Sequence, residues 1–186
     1  MKDAIREEYA IILDFLPYGY PFDTSARKFP VAQAIGKKYL ILLELIPKKC
    51  VTLQPNEEVY MGEGKRDKVH HILGKISVKK LTETAKIELE PIINKLIDET
   101  EGKYIDFFNK AMPINTRRHQ IELLPGIGKK HRDEILEERS NGVFKSFEDL
   151  KNRVRLMPDP KKLIIKRILM ELSDEDKYKL FVGVSY

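Results

Sequence analysis

"IELLPGIGKKHRDEIL" (residues 121–136) places Pro125-Gly126-Ile127-Gly128 between two apolar runs that read as helices. Glycine permits positive φ and the close approach of another backbone, so these four residues read as a tight connection with Ile127 tucked back between the helices. A second helix starting near Lys129 leaves the amides of Gly126 to Lys130 as unpaired donors with partial positive charge. Such a terminus binds phosphate. Lys129, Lys130 and Arg132 follow on the first turn, where the helix dipole disfavours cations, and an arriving anion accounts for them. The plainer alternative is a solvated hairpin whose glycines only cap the first helix.

Beyond Asn115 the pattern is helical throughout. Segments are expected over about Thr116–Leu124, Lys129–Arg139, "SFEDLKNRV" (146–154) and "PKKLIIKRILMEL" (160–172). Ser146 with Asp149 three residues on is an N-cap pair, and Asp159-Pro160 opens the last helix with proline in its first turn. Upstream, Thr82 or Thr84 caps a helix that Pro91 kinks or restarts, and "GKYIDFFNKAMP" (102–113) reads as a short amphipathic helix.

The first part of the chain reads as β. "YAIILDFLPYGY" (9–20) is β-branched and aromatic and ends in a turn. "VAQAIGKKYLILLELIP" (31–47) suggests a hairpin or bulge around Gly36-Lys37-Lys38. Glu58–Met61 is a further strand, and "VHHILGKISVKKL" (69–81) a hairpin-like pair around Gly74. Short strands at this spacing suggest a small barrel or sandwich. The expected organisation is α+β, with a β-barrel over 1–81, connecting helices over 82–112 and an all-α domain over 113–186.

The composition, 42% hydrophobic and 34% charged, is that of a soluble globular protein. One cysteine, Cys50, precludes an intrachain disulfide, and with four histidines it forms no set at zinc-ligand spacing. The longest apolar run, "YLILLELI", is interrupted by Glu44 and is far short of the roughly 18 residues of a membrane span. No secretory signal is read at Met1, so a cytoplasmic location without membrane contact is expected. Most of the net charge of +5 lies in residues 113–186, which hold 16 Lys/Arg against 12 Asp/Glu.

"ELLPGIGKKHRDEIL" is similar to the helix-hairpin-helix motif, with Gly126-Ile127-Gly128 as the hairpin and Ile135-Leu136 as the packing face of the second helix. "SNGVFKSFEDLKNRV" (140–154) resembles the segment that follows such a hairpin. The motif comes in pairs, and a second copy would fall at "VRLMPDPKKLIIKRIL" (154–169). There Pro158-Asp159-Pro160 replaces the glycines, so that hairpin is expected to be structural and only the first to clamp phosphate. Arg132 departs from the motif, which keeps a small residue there; either the helices separate or the arginine turns outward. The resemblance implies contact with the nucleic-acid backbone through main-chain N–H groups without base reading. It also implies a monovalent cation on the carbonyls of Glu122, Leu124 and Ile127; no other cofactor is expected.

"LPYGYP", "PVAQAIGKKYLILLELIPK", "EEVYMGEGKRDKVHHILGKI", "MPINTRRHQIELLPGIGKKH" and "DKYKLFV" together resemble an uncharacterised archaeal family that joins an OB-like barrel to a helix-hairpin-helix domain and is usually described as predicted RNA-binding. The reading adopted is a non-enzymatic protein that binds structured RNA rather than DNA, the preference for RNA being what the resemblance implies. Candidate contacts are Pro125, Gly126, Ile127, Gly128, Lys129, Lys130 and Arg132, with Arg117 and Arg118 upstream and Lys65, Arg66 and Lys68 on the barrel. OB-type barrels bind strands with a basic groove and aromatic platforms. Tyr18, Tyr20, Phe22 and Tyr60 are the candidate platforms, with Arg27 and Lys28 between them; a solvated lysine face and core aromatics are the plainer account.

No catalytic constellation is read. His70 and His71 point to opposite strand faces and cannot share a metal. His119 and His131 flank the hairpin and could touch phosphate when protonated, with plain surface residues as the commoner account, and Cys50 lies beside Lys48 and Lys49 without a histidine partner. Two rival readings stand: a DNA-binding accessory protein of repair or transcription, and an adaptor docking on a ribosomal or polymerase subunit.

Overall fold

A computed structural model describes residues 6–21 and 29–184. The chain forms two compact units, residues 1–92 with 171–186, and residues 93–170.

In the first unit, short runs rich in β-branched and other apolar residues give five strands: β1 (Tyr9–Leu16), β2 (Val31–Gly36), β3 (Leu42–Pro47), β4 (Glu58–Tyr60) and β5 (Val69–Lys75). They form one antiparallel sheet in the order β4-β1-β2-β3-β5. The sheet curls into a half-barrel around Ala10, Ile12, Ala34, Leu43, Leu45, Val59, Met61 and Val69. The register slips between Ile12 and Asp14 in β1 and between Glu44 and Leu45 in β3, and such bulges bend strands and raise their twist.

The turn between β2 and β3 falls where Gly36-Lys37-Lys38 places it. Its exposed amides are held by Glu7, whose carboxylate accepts N–H groups of Lys38 (2.9 Å) and Tyr39 (2.7 Å). The expected hairpin around Gly74 is instead a single strand, β5. Gly74, at φ +147°, lies opposite Glu44 in a bulge that leaves Leu73 unpaired, so its positive φ serves a bend rather than a reversal.

On the outer face, Gln33 and Glu44 anchor the segment that follows β5. Gln33 accepts from Thr82 N–H (2.9 Å) and donates to the Lys80 carbonyl (2.9 Å), while Lys80 Nζ reaches Glu44 (2.9 Å). Thr82 then caps helix α1 (Glu83–Glu99) through Ala85 N–H (3.1 Å). Pro91 is accommodated inside this one continuous helix. The C-terminal tail belongs with the sheet: Gly183 N–H donates to the Tyr39 carbonyl (2.8 Å), and buried Glu171 accepts N–H groups of Leu180, Phe181 and Val182. For that reason residues 171–186 group with the sheet unit.

The second unit holds α2 (Glu101–Lys110), a small hairpin of β6 (Pro113–Asn115) and β7 (Arg118–His119), a 3-10 turn (Gln120–Leu123), α3 (Lys129–Ser140), α4 (Phe147–Arg153) and most of α5 (Pro160–Leu172). A helix over Thr116–Leu124 is not formed. The Asn115 side chain accepts Arg117 N–H (2.9 Å) and makes a turn, and the His119/Glu122 capping box starts the short 3-10 turn only at Gln120. Phe144, Leu150, Ile135, Leu163, Ile164 and Ile168 are buried here. Among the described residues no helix is long and apolar enough to cross a membrane.

Candidate functional site

Leu124, Pro125, Gly126 and Ile127 form a turn closed by Ile127 N–H on the Leu124 carbonyl (3.1 Å). Proline second and glycine third, at φ +92°, suit a turn that needs positive φ at its third position. Ile127 is buried, 6% exposed, and anchors the turn as its sequence position suggests. A Cβ on Gly126 would stand 3.7 Å from Leu163, so this glycine is required by its backbone angle rather than by lack of room.

Gly128 differs. Its φ of −99° is open to any residue, and a Cβ there would meet nothing within 4 Å. It is the N-cap of α3 and supplies no capping bond. The first turn after it holds no acidic residue; Lys129 and Lys130 there are exposed. The first intrahelical bond reaches Gly128 from Arg132 N–H (3.0 Å), so the amides between them point out of the helix end. Three other starts are filled by their own chain: Thr82 caps α1, Ser146 caps α4 through Asp149 N–H (3.0 Å), and Asp159 caps α5 through Lys162 N–H (3.2 Å). Thr100 gives α2 no capping bond, but Glu101 stands in that first turn.

Arg132 turns neither to a gap nor outward. Its guanidinium meets Asp133 (2.6 Å) and Glu122 (3.1 Å) with the side chain 22% exposed, so its charge is neutralised by its own chain. Glu122 also accepts His119 N–H (2.8 Å). That bond and then Arg132 hold its carboxyl below the usual range, against the opposing effect of burial. His119 is buried, and its Nδ1 accepts Ile121 N–H (3.2 Å). Burial, then Arg139 and Arg132, push its pKa down, so the ring stays neutral. His131 Nε2–H donates to the Leu156 carbonyl (3.1 Å).

Further arginines of this unit work inside it, which composition alone does not reveal. Arg167, 1% exposed, donates to the Leu123 carbonyl (3.1 Å) beneath the turn. Arg139 caps the end of α2 through the carbonyls of Phe108, Asn109 and Ala111. Arg153 reaches the Glu138 and Gly142 carbonyls at the end of α3. Exposed cations of this unit include lysines 129 and 130, Arg117 and Arg118 on the β6–β7 hairpin, and Arg155. Of the three carbonyls expected to hold a cation, that of Leu124 accepts the Ile127 amide (3.1 Å).

In the sheet unit, Lys65, Arg66 and Lys68 lie in the loop between β4 and β5. Lys65 is exposed, Arg66 Nε–H donates to the Gly62 carbonyl (2.8 Å) and Lys68 pairs with Glu57. Tyr60 is covered by this loop, its hydroxyl accepting Gly64 N–H (3.1 Å), and its ring stands 5.2 Å from that of Tyr9. The Tyr20 hydroxyl is bound to Glu44 and Gln33, and burial with the Glu44 carboxylate pushes its pKa well up. Tyr18 is 82% exposed and free to stack. Phe22, Arg27 and Lys28 lie outside the described residues. His70 and His71 are both exposed on β5, and among the described residues no group of His, Cys, Asp or Glu could hold a metal.

Comparison with known proteins covers nearly all of the chain. An uncharacterized protein of Methanocaldococcus jannaschii, MJ0038, is 44% identical over 178 residues, covering 95% of this chain and 80% of that protein. The crystal structure of Af1531 from Archaeoglobus fulgidus is similar with a TM-score of 0.85 and 44% identity, covering 95% of this chain and all of that one. The family model described as protein of unknown function (DUF655) matches residues 6–183, and the chain belongs to that family.

Proposed function

We propose that this is a non-enzymatic nucleic-acid-binding protein that grips the phosphate backbone of structured RNA at the start of α3. The observation that carries the reading is the combination at one helix end of unfilled amides, a glycine with open space around it, and exposed Lys129 and Lys130 with no acidic residue in that first turn. A phosphate there accepts main-chain N–H bonds and offsets two cations that otherwise oppose the helix dipole. Arg117 and Arg118 extend the basic surface. Main-chain contacts position a backbone without reading its bases.

Two finer assignments belong to the same reading. The tight turns before α3 and α5 support a helix-hairpin-helix domain, with the first helix of its first hairpin reduced to a 3-10 turn. The strand order β4-β1-β2-β3-β5 supports an OB-like barrel left open between β4 and β5, since pairing those two edges would close it. Lys65 and exposed Tyr18 lie in its β4–β5 and β1–β2 loops, where OB folds take single strands. The preference for RNA over DNA rests on the family resemblance.

The test is fluorescence-anisotropy titration of the intact protein with structured RNA, single-stranded RNA and duplex DNA at several salt concentrations. Tightest binding to structured RNA, weakening steeply with salt, is expected. Preference for duplex DNA would move the reading to a DNA accessory protein, and weak, equal binding to all three would overturn it in favour of a protein adaptor.

A further inference from the structure

The turns leading into α3 and α5 follow one plan. Ile127 N–H donates to the Leu124 carbonyl (3.1 Å), and Met157 N–H to the Val154 carbonyl (3.4 Å). The outer residues of both turns are buried. In both, the third residue has positive φ, +92° at Gly126 and +54° at Leu156. That position favours glycine or asparagine, because an L side chain there crowds the backbone. Leu156 is therefore the counterpart of Gly126, and it is an unfavourable residue for its backbone.

It is also an unfavourable residue for its surroundings. Leu156 is 80% exposed, so its apolar side chain gains almost nothing from burial within the protein. The tip is nonetheless fixed from below. His131 Nε2–H donates to the Leu156 carbonyl (3.1 Å), and Arg155 N–H donates to Glu134 (2.5 Å), both partners lying on α3. His131 follows Lys129 and Lys130 in the first turn of α3, so the leucine is held next to the exposed lysines and the open amides.

We infer that Leu156 is the apolar contact of the nucleic-acid site, an inference that rests on the phosphate-binding reading of α3. With a phosphate on the amides of α3, Leu156 meets the sugar and base edge of a neighbouring nucleotide. In A-form RNA the accessible surface of this kind is the wide, shallow minor groove, which a short side chain on a turn tip can reach; the deep, narrow major groove is closed to it. The second hairpin thus carries no phosphate, since Asp159 fills the start of α5, but contributes the apolar half of the contact.

The experiment compares wild type, Leu156→Gly and Leu156→Met for melting temperature and for affinity to one RNA hairpin across a salt series. Leu156→Gly relieves the backbone, so its melting temperature should rise by about 2–4 °C. Its affinity should fall about five- to tenfold while the salt slope stays that of wild type, because no phosphate contact is lost. Leu156→Met keeps an apolar tip and should retain affinity within about twofold. Wild-type binding with Leu156→Gly unchanged within twofold overturns the role of Leu156 and leaves the phosphate site standing. Absence of wild-type binding to any RNA overturns both.

Discussion

Helices α3 and α5 start alike and finish their starts differently. Each follows a tight turn with positive φ at its third residue, and each turn buries its outer side chains. At α5 the chain supplies Asp159 to accept the Lys162 amide, and Pro160 removes a donor that would otherwise need a partner. At α3 the chain supplies Gly128, which accepts nothing with a side chain, and follows it with two lysines of the wrong sign for the dipole. One start is complete in the folded protein. The other keeps its amides open, and under the proposed function an anion completes it.

The largest stability change is expected at Gly126. Valine there must adopt φ +92° and should cost about 1–3 kcal/mol, whereas Gly128→Val, in ordinary backbone and open space, should lose less, at most about 1 kcal/mol from the N-cap preference for glycine over valine. Equal losses in thermal melts of the two variants would show that both glycines serve the fold. Next comes the filled start. Asp159→Ala should lose about 1 kcal/mol in a denaturant titration with no change in RNA affinity, and a matching loss of binding would mean that α5 shares the site.

Replacing Lys129 and Lys130 together by alanine should have a smaller and opposite effect on stability, a gain of about 0.3–1 kcal/mol for each cation removed from the helix start. The same variant should lower the salt slope of RNA binding by about two. A stability loss on removal would point to ion pairs of these lysines within the protein.

The smallest change concerns acid. The neutral His119 ring accepts Ile121 N–H, and burial with Arg139 and Arg132 holds its pKa below 6.5, so the unfolded chain takes up the proton first. Stability is therefore complete above about pH 6.5 and declines as pH falls below it towards the lower folded value. Glu122, whose pKa lies below 4.5, adds its own loss only in stronger acid. Melting temperatures between pH 7 and 5 should fall in wild type more than in His119→Asn, and parallel profiles would remove His119 as the cause.

The turn itself was legible in the sequence because Pro-Gly before a basic helix start is a local signal, and so were the cap at Ser146, the helix opened by Asp159-Pro160 and most strands, though not the single strand through Gly74. The helix expected before the turn was misread because "TRRHQIELL" suits a helix locally. Its extended start is imposed by the Asn115 side chain and by the His119/Glu122 box, which are contacts at short range but of unusual type. The division of the arginines was hidden for a different reason. Arg132, Arg139, Arg153 and Arg167 look like surface charge, and only packing shows that each is used by a carboxylate or carbonyl of its own chain. Leu156 was unremarkable as a letter, because neither its exposure nor its backbone angle follows from local pattern.

Gly128→Asp tests the central claim most directly, since it gives α3 the cap that α5 already has. The account predicts a melting temperature equal to or slightly above that of wild type, because aspartate exceeds glycine as an N-cap by about a few tenths of a kcal/mol. It also predicts at least about a tenfold loss of RNA affinity at low salt, because the carboxylate occupies the amides and repels phosphate. A folded Gly128→Asp protein that binds RNA within twofold of wild type would contradict it.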